Sequence, residues 1–367
     1  MSKISDLIES MCPNGVRFCK IGEVAEVGTG SSNGNESDDN GKFPFFVRSQ
    51  IIKRKNTYEY DEEAIIIPGE GGIGEIFHYI NGKYALHQRV YRIHFISNLI
   101  DSRFAYYYLS AYFKAFILRK AVSATVTSIR KPMIEQFPIP LPPLPVQQEI
   151  VRILDHFTEL TAELTAELTA RRKQYAYYRD ALLTFGDEVE HKKISDFSRV
   201  SIGEFVHKSK QRDDYQYPVF NGGTSNTGYY EEYNRDANKI IVSARGANAG
   251  YVNRVFEKFW SGNSCYTIDI VSEDVNWNYV YYFLKAHEAQ LLGSQQKGGI
   301  PAVSKKQIEK FSVPIPTIEK QSYIVSILDH FYGLCNDLTS GLPAEINARQ
   351  KQYEYYRDKL LSFPERS

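Results

Sequence analysis

Apolar residues follow two patterns along the chain, and the succession from one to the other occurs twice. Short runs rich in β-branched and aromatic residues come first: FPFFV at 43–47, AIIIP at 64–68, EIFHYI at 75–80 and VYRIHFI at 90–96. They return as YPVF at 217–220, KIIVS at 239–243, GYVNRVF at 250–256 and CYTIDIV at 265–271. Bounded by Gly, Asn and Asp, these runs predict short strands. A helical period follows each set, near 102–120 and near 277–292, with Asp101 and Asn276 placed as N-caps. Each body therefore reads as α+β.

A tail follows each body. It opens on a Pro-rich extended strap, PIPLPPLP or VPIPTIEK, and Pro145 can occupy the first helical position. In the first tail Ile150, Ile153, Phe157, Leu160 and Leu164 alternate steps of three and four, and Tyr175, Tyr178, Leu182 and Phe185 resume the pattern. That is a coiled-coil stripe on a helix of ~54 Å. The second tail carries the stripe as Ile324, Ile327, Phe331, Leu334, Leu338, Tyr353, Tyr356 and Leu360, but Gly341 and Pro343 predict a kink or a break within it. The element LTAELTAEL places Leu160, Leu164 and Leu168 at strict i, i+4 spacing, which drifts by about 40° per step around a helix. It reads either as a small stutter in the seam or as plain helical filler.

The tails are copies of each other. Between Phe137 and Leu168 and between Phe311 and Leu342, 15 of 32 paired positions are identical at an offset of 174. ARRKQYAYYRDALLTF (170–185) then matches ARQKQYEYYRDKLLSF (348–363) at 12 of 16 positions, at an offset of 178. Upstream the likeness is weaker, with YYYL at 106–109 against YYFL at 281–284. A period this long means a duplicated domain. The expected division is a first body over 1–144, a central repeated helix over 145–186, a second body over 187–318 and a C-terminal repeated helix over 319–367.

The 367 residues carry 44 basic and 44 acidic side chains, and with 14% aromatics the composition excludes general disorder. No segment is a basic tail. A nucleic-acid surface would have to be a local patch such as Lys53, Arg54 and Lys55, Arg130 and Lys131, or Lys297, Lys305 and Lys306; a solvated face is the plainer reading of such runs. Cys12, Cys19, Cys265 and Cys335 lack CxxC spacing and fit reduced thiols in a cytoplasm. No run approaches the ~18 apolar residues of a membrane span, so a membrane is not expected as a partner.

Chemistry is sought and not found. GEGGIG (69–74) satisfies a dinucleotide fingerprint, but Pro68 precedes it and the β-forming EIFHYI follows where a helix is required, so a turn is expected. No GxxxxGK[ST] loop is present, nor the Asn or Asp, Pro, Pro, aromatic motif of adenine methyltransferases. Glu190 to Lys192 gives one ExK and reads as surface charge. His87 and His94, and the repeated His156 and His330, lack metal-ligand spacing, the repeated pair reading as packing or interface groups. No metal, cofactor or catalytic residue is expected in this chain.

FPIPLPPLPVQQEIVRILDHF with its second copy, the twice-present RxKQYxYYRDxLL block and the TAEL element make the chain similar to a specificity subunit of a type I restriction-modification system, over nearly its whole length. The resemblance implies two α+β target-recognition domains, each binding one half of a split DNA sequence, held apart by two long helices packed as an antiparallel coiled coil. It also implies two modification subunits as partners, which carry S-adenosylmethionine and methylate adenine. Through them it implies restriction subunits that use ATP and Mg. The second tail departs from the family wording at IPTIEKQ and at Gly341 and Pro343.

A duplicated unit matches the twofold relation between the strands of duplex DNA, and bodies that differ under tails that do not predict an asymmetric bipartite target. Candidate readers are side chains able to pair with base edges, on loops beside basic groups. In the first body these are Arg48, Gln50, Lys53, Arg54, Lys55, His87, Gln88 and Arg89, with Arg130 and Lys131. In the second they are Asn221, Asn226, Arg245, Asn248, Asn263 and Lys297, with Lys305 and Lys306. Two other readings stay open: a coiled-coil scaffold that joins proteins without touching DNA, and a self-sufficient nuclease, which would need metal-dependent cleavage by the chain alone.

Overall fold

The computed structural model describes residues 2–120, 128–293, 301–337 and 339–366. These fall into two compact units, Met1–Leu164 with Ile346–Ser367, and Thr165–Glu345. Each unit therefore takes helix from both tails.

The first unit contains α1 (Ser2–Met11), β1 (Phe18–Lys20), α2 (Ile21–Val24), β2 (Ala25–Thr29), β3 (Phe43–Phe46), β4 (Lys53–Lys55), β5 (Tyr60–Pro68), β6 (His78–Leu86), β7 (Val90–Phe95), α3 (Ser102–Lys120), α4 (Lys131–Glu135), β8 (Pro138–Pro140) and the start of α5 (Leu144–Leu182). Six strands form one sheet in the order β2-β7-β5-β6-β3-β4, and β1 pairs with β8. The unbroken apolar run of β5 is explained by burial on both faces. Ile65 and Ile67 point into the main core beside Phe104, Leu109 and Phe113 of α3, whereas Ala64 and Ile66 join Phe46, Tyr84 and Leu86 on the opposite face.

The second unit repeats the plan with β9 (His191–Lys193), α6 (Ile194–Phe197), β10 (Ser198–Ile202), β11 (Tyr217–Phe220), β12 (Tyr229–Tyr230), β13 (Lys239–Ser243), β14 (Val252–Val255), β15 (Trp260–Ser261), β16 (Cys265–Ile270), α7 (Trp277–Ala286), α8 (Glu288–Gly293), α9 (Lys305–Glu309), β17 (Ser312–Pro314) and α10 (Ile318–Asn336). Its sheets run β10-β16-β13-β14 and β12-β11-β15, with β17 paired to β9. Ile240 and Val242 of β13 face α7, and Ile241 faces Phe259 and Cys265.

Both N-caps stand as expected. Asp101 Oδ1 accepts the Arg103 and Phe104 amides at 2.9 Å each, and Asn276 Oδ1 accepts those of Asn278 and Tyr279 at 2.9 and 3.3 Å. Three boundaries differ from expectation. Pro145 is the second residue of α5, still within the turn whose amides have no helical acceptor. EIFHYI becomes strand only at His78, because the turn holding Gly71, Gly72 and Gly74 at positive φ runs into its first residue. The second helical period divides at His287 into α7 and α8.

α5 is one unbroken helix of 39 residues. The second tail is broken as predicted, ending α10 at Asn336 and beginning α11 (Leu342–Leu360). Only glycine fits at 341, since a Cβ there would lie 2.6 Å from the Gly333 carbonyl oxygen. Repeated tail residues do the same work in each unit. Ile150 and Leu154, and Ile324 and Leu328, are fully buried against their bodies. Gln147 Nε2 donates to the carbonyls of Leu99 and Pro142 at 2.9 and 2.6 Å, while its Oε1 accepts the Asp101 amide at 2.8 Å. Gln321 repeats this with Asp274, Pro316 and Asn276 at 2.9, 2.7 and 2.8 Å.

The stripe residues form the helix pairing. Phe157 stacks on Tyr356 with centroids 5.5 Å apart in the first unit, and Tyr178 on Phe331 at 5.6 Å in the second. Partners of residues successively later in α5 come from successively earlier in the second tail, the order of an antiparallel coiled coil. Ile153, Leu160, Leu164, Leu168, Tyr175, Leu182, Ile327, Leu334 and Tyr353 are half-buried, and Leu360 is buried in the first unit's core. Leu338 lies outside the described residues. His156 and His330, expected as packing or interface groups, are exposed.

Candidate nucleic-acid interface

In the first unit four connections meet at one edge, and backbone hydrogen bonds hold them together. The His87 amide donates to Phe46 O at 3.0 Å, the Gly69 amide to Arg89 O at 3.0 Å, and the Ile129 amide to Gly69 O at 2.7 Å. This frame gathers the segment after β3, the GEGGIG turn after β5, the β6–β7 turn and the approach to α4. It borders a half-open cleft of about 320 Å³ lined by Glu70, Gln88, Arg89, Tyr91, Ser128 and Arg130.

Charge at this edge is organised around Glu70. Arg48 Nη1 donates to its Oε2 at 2.8 Å and Arg89 Nη1 to its Oε1 at 2.9 Å, and these two guanidinium hydrogen bonds hold the carboxyl below its ordinary range. Both arginines remain largely exposed, leaving donors of each fork free for another acceptor. Gln88 is exposed and donates to Asn33 Oδ1 at 2.9 Å. Glu70 lies outside the set expected from sequence, although the glycines that flank it and the strand before it mark an exposed turn.

The expectation of a surface reader is corrected at His87. The ring is 6% exposed and its Nδ1 accepts the Arg89 amide at 3.0 Å. Burial, reinforced by Arg48 and Arg89, pushes its pKa down. It is a neutral brace. The basic patch lies apart on the edge strand β4 and is partly consumed by structure: Arg54 clasps the carbonyls of Gly41 and Lys42 at 2.6 and 2.8 Å, and Lys55 donates to Ser32 and Glu36 at 2.6 Å each. Gln50 and Lys53 are exposed, and Lys131 pairs with Glu135 at 3.6 Å.

The second unit builds the same frame. The Gly262 amide donates to Phe220 O at 2.8 Å, Ala244 to Ser264 O at 2.8 Å and Val303 to Ala244 O at 2.9 Å. Arg245 stands exposed at this edge and donates through Nη2 to Asn263 O at 3.2 Å. Asn248 is exposed, and Asn226 and Asn263 are half-buried. Asn221 is corrected to a brace, since its Oδ1 accepts the Ser264 amide at 3.1 Å beneath a glycine with no room for a Cβ. Lys305 pairs with Glu309 at 3.4 Å, Lys306 is exposed, and Lys297 lies outside the described residues.

Among the described residues no group of three or more His, Cys, Asp or Glu is disposed to hold a metal, and no helix is long and apolar enough to cross a membrane. The cysteines are unpaired. Glu190 lies 3.3 Å from Lys192 as an ordinary ion pair.

Two solved structures share the fold. An S subunit of a type I restriction-modification system from M. genitalium aligns with TM-score 0.65 and 17% identity over 96% of this chain and 97% of that one. A structure from a study of assembly and conformational transition of the type I R-M system aligns with TM-score 0.60 and 15% identity over 95% and 98%. In sequence, the EcoR124I/EcoR124II specificity subunit of Escherichia coli is 34% identical over 257 residues, 63% of this chain and 64% of that protein. A putative type I restriction enzyme specificity subunit of Haemophilus influenzae is 30% identical over 88% of this chain and 89% of its own length. The family model of the type I restriction modification DNA specificity domain matches twice, over residues 13–171 and 186–348, once on each body with its tail, and the chain belongs to that family of specificity subunits.

Proposed function

We propose that this chain reads an asymmetric, two-part DNA target in the cytoplasm and directs adenine methylation and restriction by partner subunits. The observation that carries the proposal is the repeated backbone frame, which presents a different set of polar side chains at the corresponding edge of each unit. Arginine forks suit guanine and Asn or Gln suit adenine, so unlike edges should select unlike half-sites. Membership of a family of non-catalytic specificity subunits supports assigning S-adenosylmethionine to two modification subunits, and ATP and Mg to restriction subunits bound through them.

Co-expression with the modification subunit in a host free of adenine methylation, followed by mapping of methylated adenines, tests this reading. A single two-part motif is expected, and exchange of residues 16–136 for the body of another such subunit should alter one part alone. Affinity of the purified complex for target DNA should fall steeply with salt as phosphate contacts release counterions. A flat salt response with no methylated motif would favour the protein scaffold.

A further inference from the structure

The two edges correspond residue by residue at one place. Gly69 and Ala244 have the same backbone partners, each donating across to the β6–β7 or β15–β16 turn and accepting from the segment before α4 or α9. The next residue is Glu70 in one unit and Arg245 in the other. Each is followed by a glycine held at positive φ, Gly71 at 73° and Gly246 at 91°, so the chain leaves both positions through a left-handed residue. Charge at this shared position is reversed between the units. Glu70 has gathered two guanidiniums, whereas Arg245 is itself the guanidinium.

We propose that position 70 in the first unit and position 245 in the second are the corresponding specificity-determining positions of the two edges. Glu70 is a positioning residue that fixes the forks of Arg48 and Arg89 toward guanine, and Arg245 offers its own fork. The inference rests on the proposed function. A free guanidinium on a flexible stem binds any phosphate, but one held by an acceptor, the Glu70 carboxylate for Arg48 and Arg89 or the Asn263 carbonyl for Arg245, has a set plane and so discriminates between base edges. Because Glu70 also opposes the charge of DNA, it lowers affinity for phosphate in general while raising selectivity.

The test maps methylated adenines for the complex carrying the natural chain, Glu70→Gln or Arg245→Gln. Absence of a two-part motif with the natural chain would sink the proposed function and this inference with it. Given that motif, Glu70→Gln should make one part degenerate at one or two positions, with discrimination against the wrong base falling roughly tenfold at each. Affinity for non-target DNA should stay level or rise, which a variant that merely loosens the fold would not produce. Arg245→Gln should make the other part degenerate at one position. If Glu70→Gln does not assemble, Glu70→Asp decides, because withdrawing the carboxylate by one methylene should broaden the same part. Unchanged motifs, a change confined to one of the two variants, or both parts changing together would overturn the assignment.

Discussion

Gln147 and Gln321 make the sharpest test of how tail and body are joined. Each is fully buried and spends its whole amide on three backbone groups, one carbonyl of the strap, one carbonyl of the body just before its helix, and the amide of the residue that caps that helix. Leucine fills a similar volume but leaves those three groups without partners. An unsatisfied buried polar group costs about 1–3 kcal/mol, so three give roughly 3–9 kcal/mol before relaxation. Water reaching the strap and the added apolar burial offset part of this, and Gln147→Leu or Gln321→Leu should destabilise its own unit by about 2–4 kcal/mol. Glutamate should do no better, since it accepts from Asp101 or Asn276 but cannot donate to two carbonyls. Urea denaturation followed by circular dichroism gives the total, and hydrogen exchange on peptides around 98–110 and 272–285 assigns the loss to one unit. A loss under ~0.5 kcal/mol for either leucine variant, or Glu matching Gln, would refute the account, because fully buried, triply bonded amides do not leave so little trace.

Removing residues 346–366 should unfold the first unit while sparing the second. It strips the buried Leu360 and Leu361 and the hydrogen bonds joining Val16 to Pro364 and Arg366; proteolysis with peptide mapping would read which unit is lost. His78 and His87 both have pKa values pushed down by burial, so the unfolded chain binds more protons below its ordinary histidine pKa. Stability of the first unit should therefore be full above about pH 6.5 and fall as the pH drops through that value, with His78→Gln flattening the profile of thermal melts. Deleting Thr161–Leu164 shortens α5 by ~6 Å and rotates the remainder of the helix by about 40°. Mapped methylation should then show a spacer altered by about one base pair, two at most, with both half-sites kept; an unchanged spacer with full activity would make TAEL filler.

Legibility in the sequence follows periodicity. The duplication, the strands β3, β5, β7, β11, β13, β14 and β16, the two N-caps and the break at Gly341 all rest on local patterns, and the structure has them; β2, β4, β10, β12 and β15 carry no such pattern and are not foreseen from the sequence. The joint between tail and body was less visible. Asp155 receives Arg103 of α3 and the Tyr107 hydroxyl at 2.9 and 2.5 Å, and Asp329 receives Arg254 and the Tyr282 hydroxyl at the same distances. The aspartates and tyrosines repeat at corresponding places, but the arginines come from a helix in one unit and from strand β14 in the other, a substitution that no one-dimensional alignment can pair. At the candidate interface, residue type and loop position singled out Arg48, Gln88, Arg89 and Arg245, which the structure places exposed at the two edges. Side-chain chemistry alone could not say that His87 and Asn221 would turn inward, because each is claimed by a backbone amide, Arg89 of its own turn for His87 and Ser264 of a neighbouring turn for Asn221.

A scaffold that keeps its tails and varies its edges needs loops whose geometry is indifferent to their side chains. The frame at both edges meets that need, since every hydrogen bond in it runs from a backbone amide to a backbone carbonyl. It constrains residue type at few places. A small residue is required at Gly69 and Ala244, where a Cβ on Gly69 would already meet the Arg89 carbonyl oxygen at 3.0 Å, and an apolar one at Ile129 and Val303, both nearly fully buried. Glu70 against Arg245, Arg89 against Ser264 and Arg130 against Ser304 can then differ in charge and size without disturbing the frame. The tails allow no such freedom, because Gln147, Asp155 and Phe157 act through side-chain atoms whose partners are fixed in place. Backbone bonding at the edge and side-chain bonding at the joint thus account physically for one half of each repeat diverging while the other half is held.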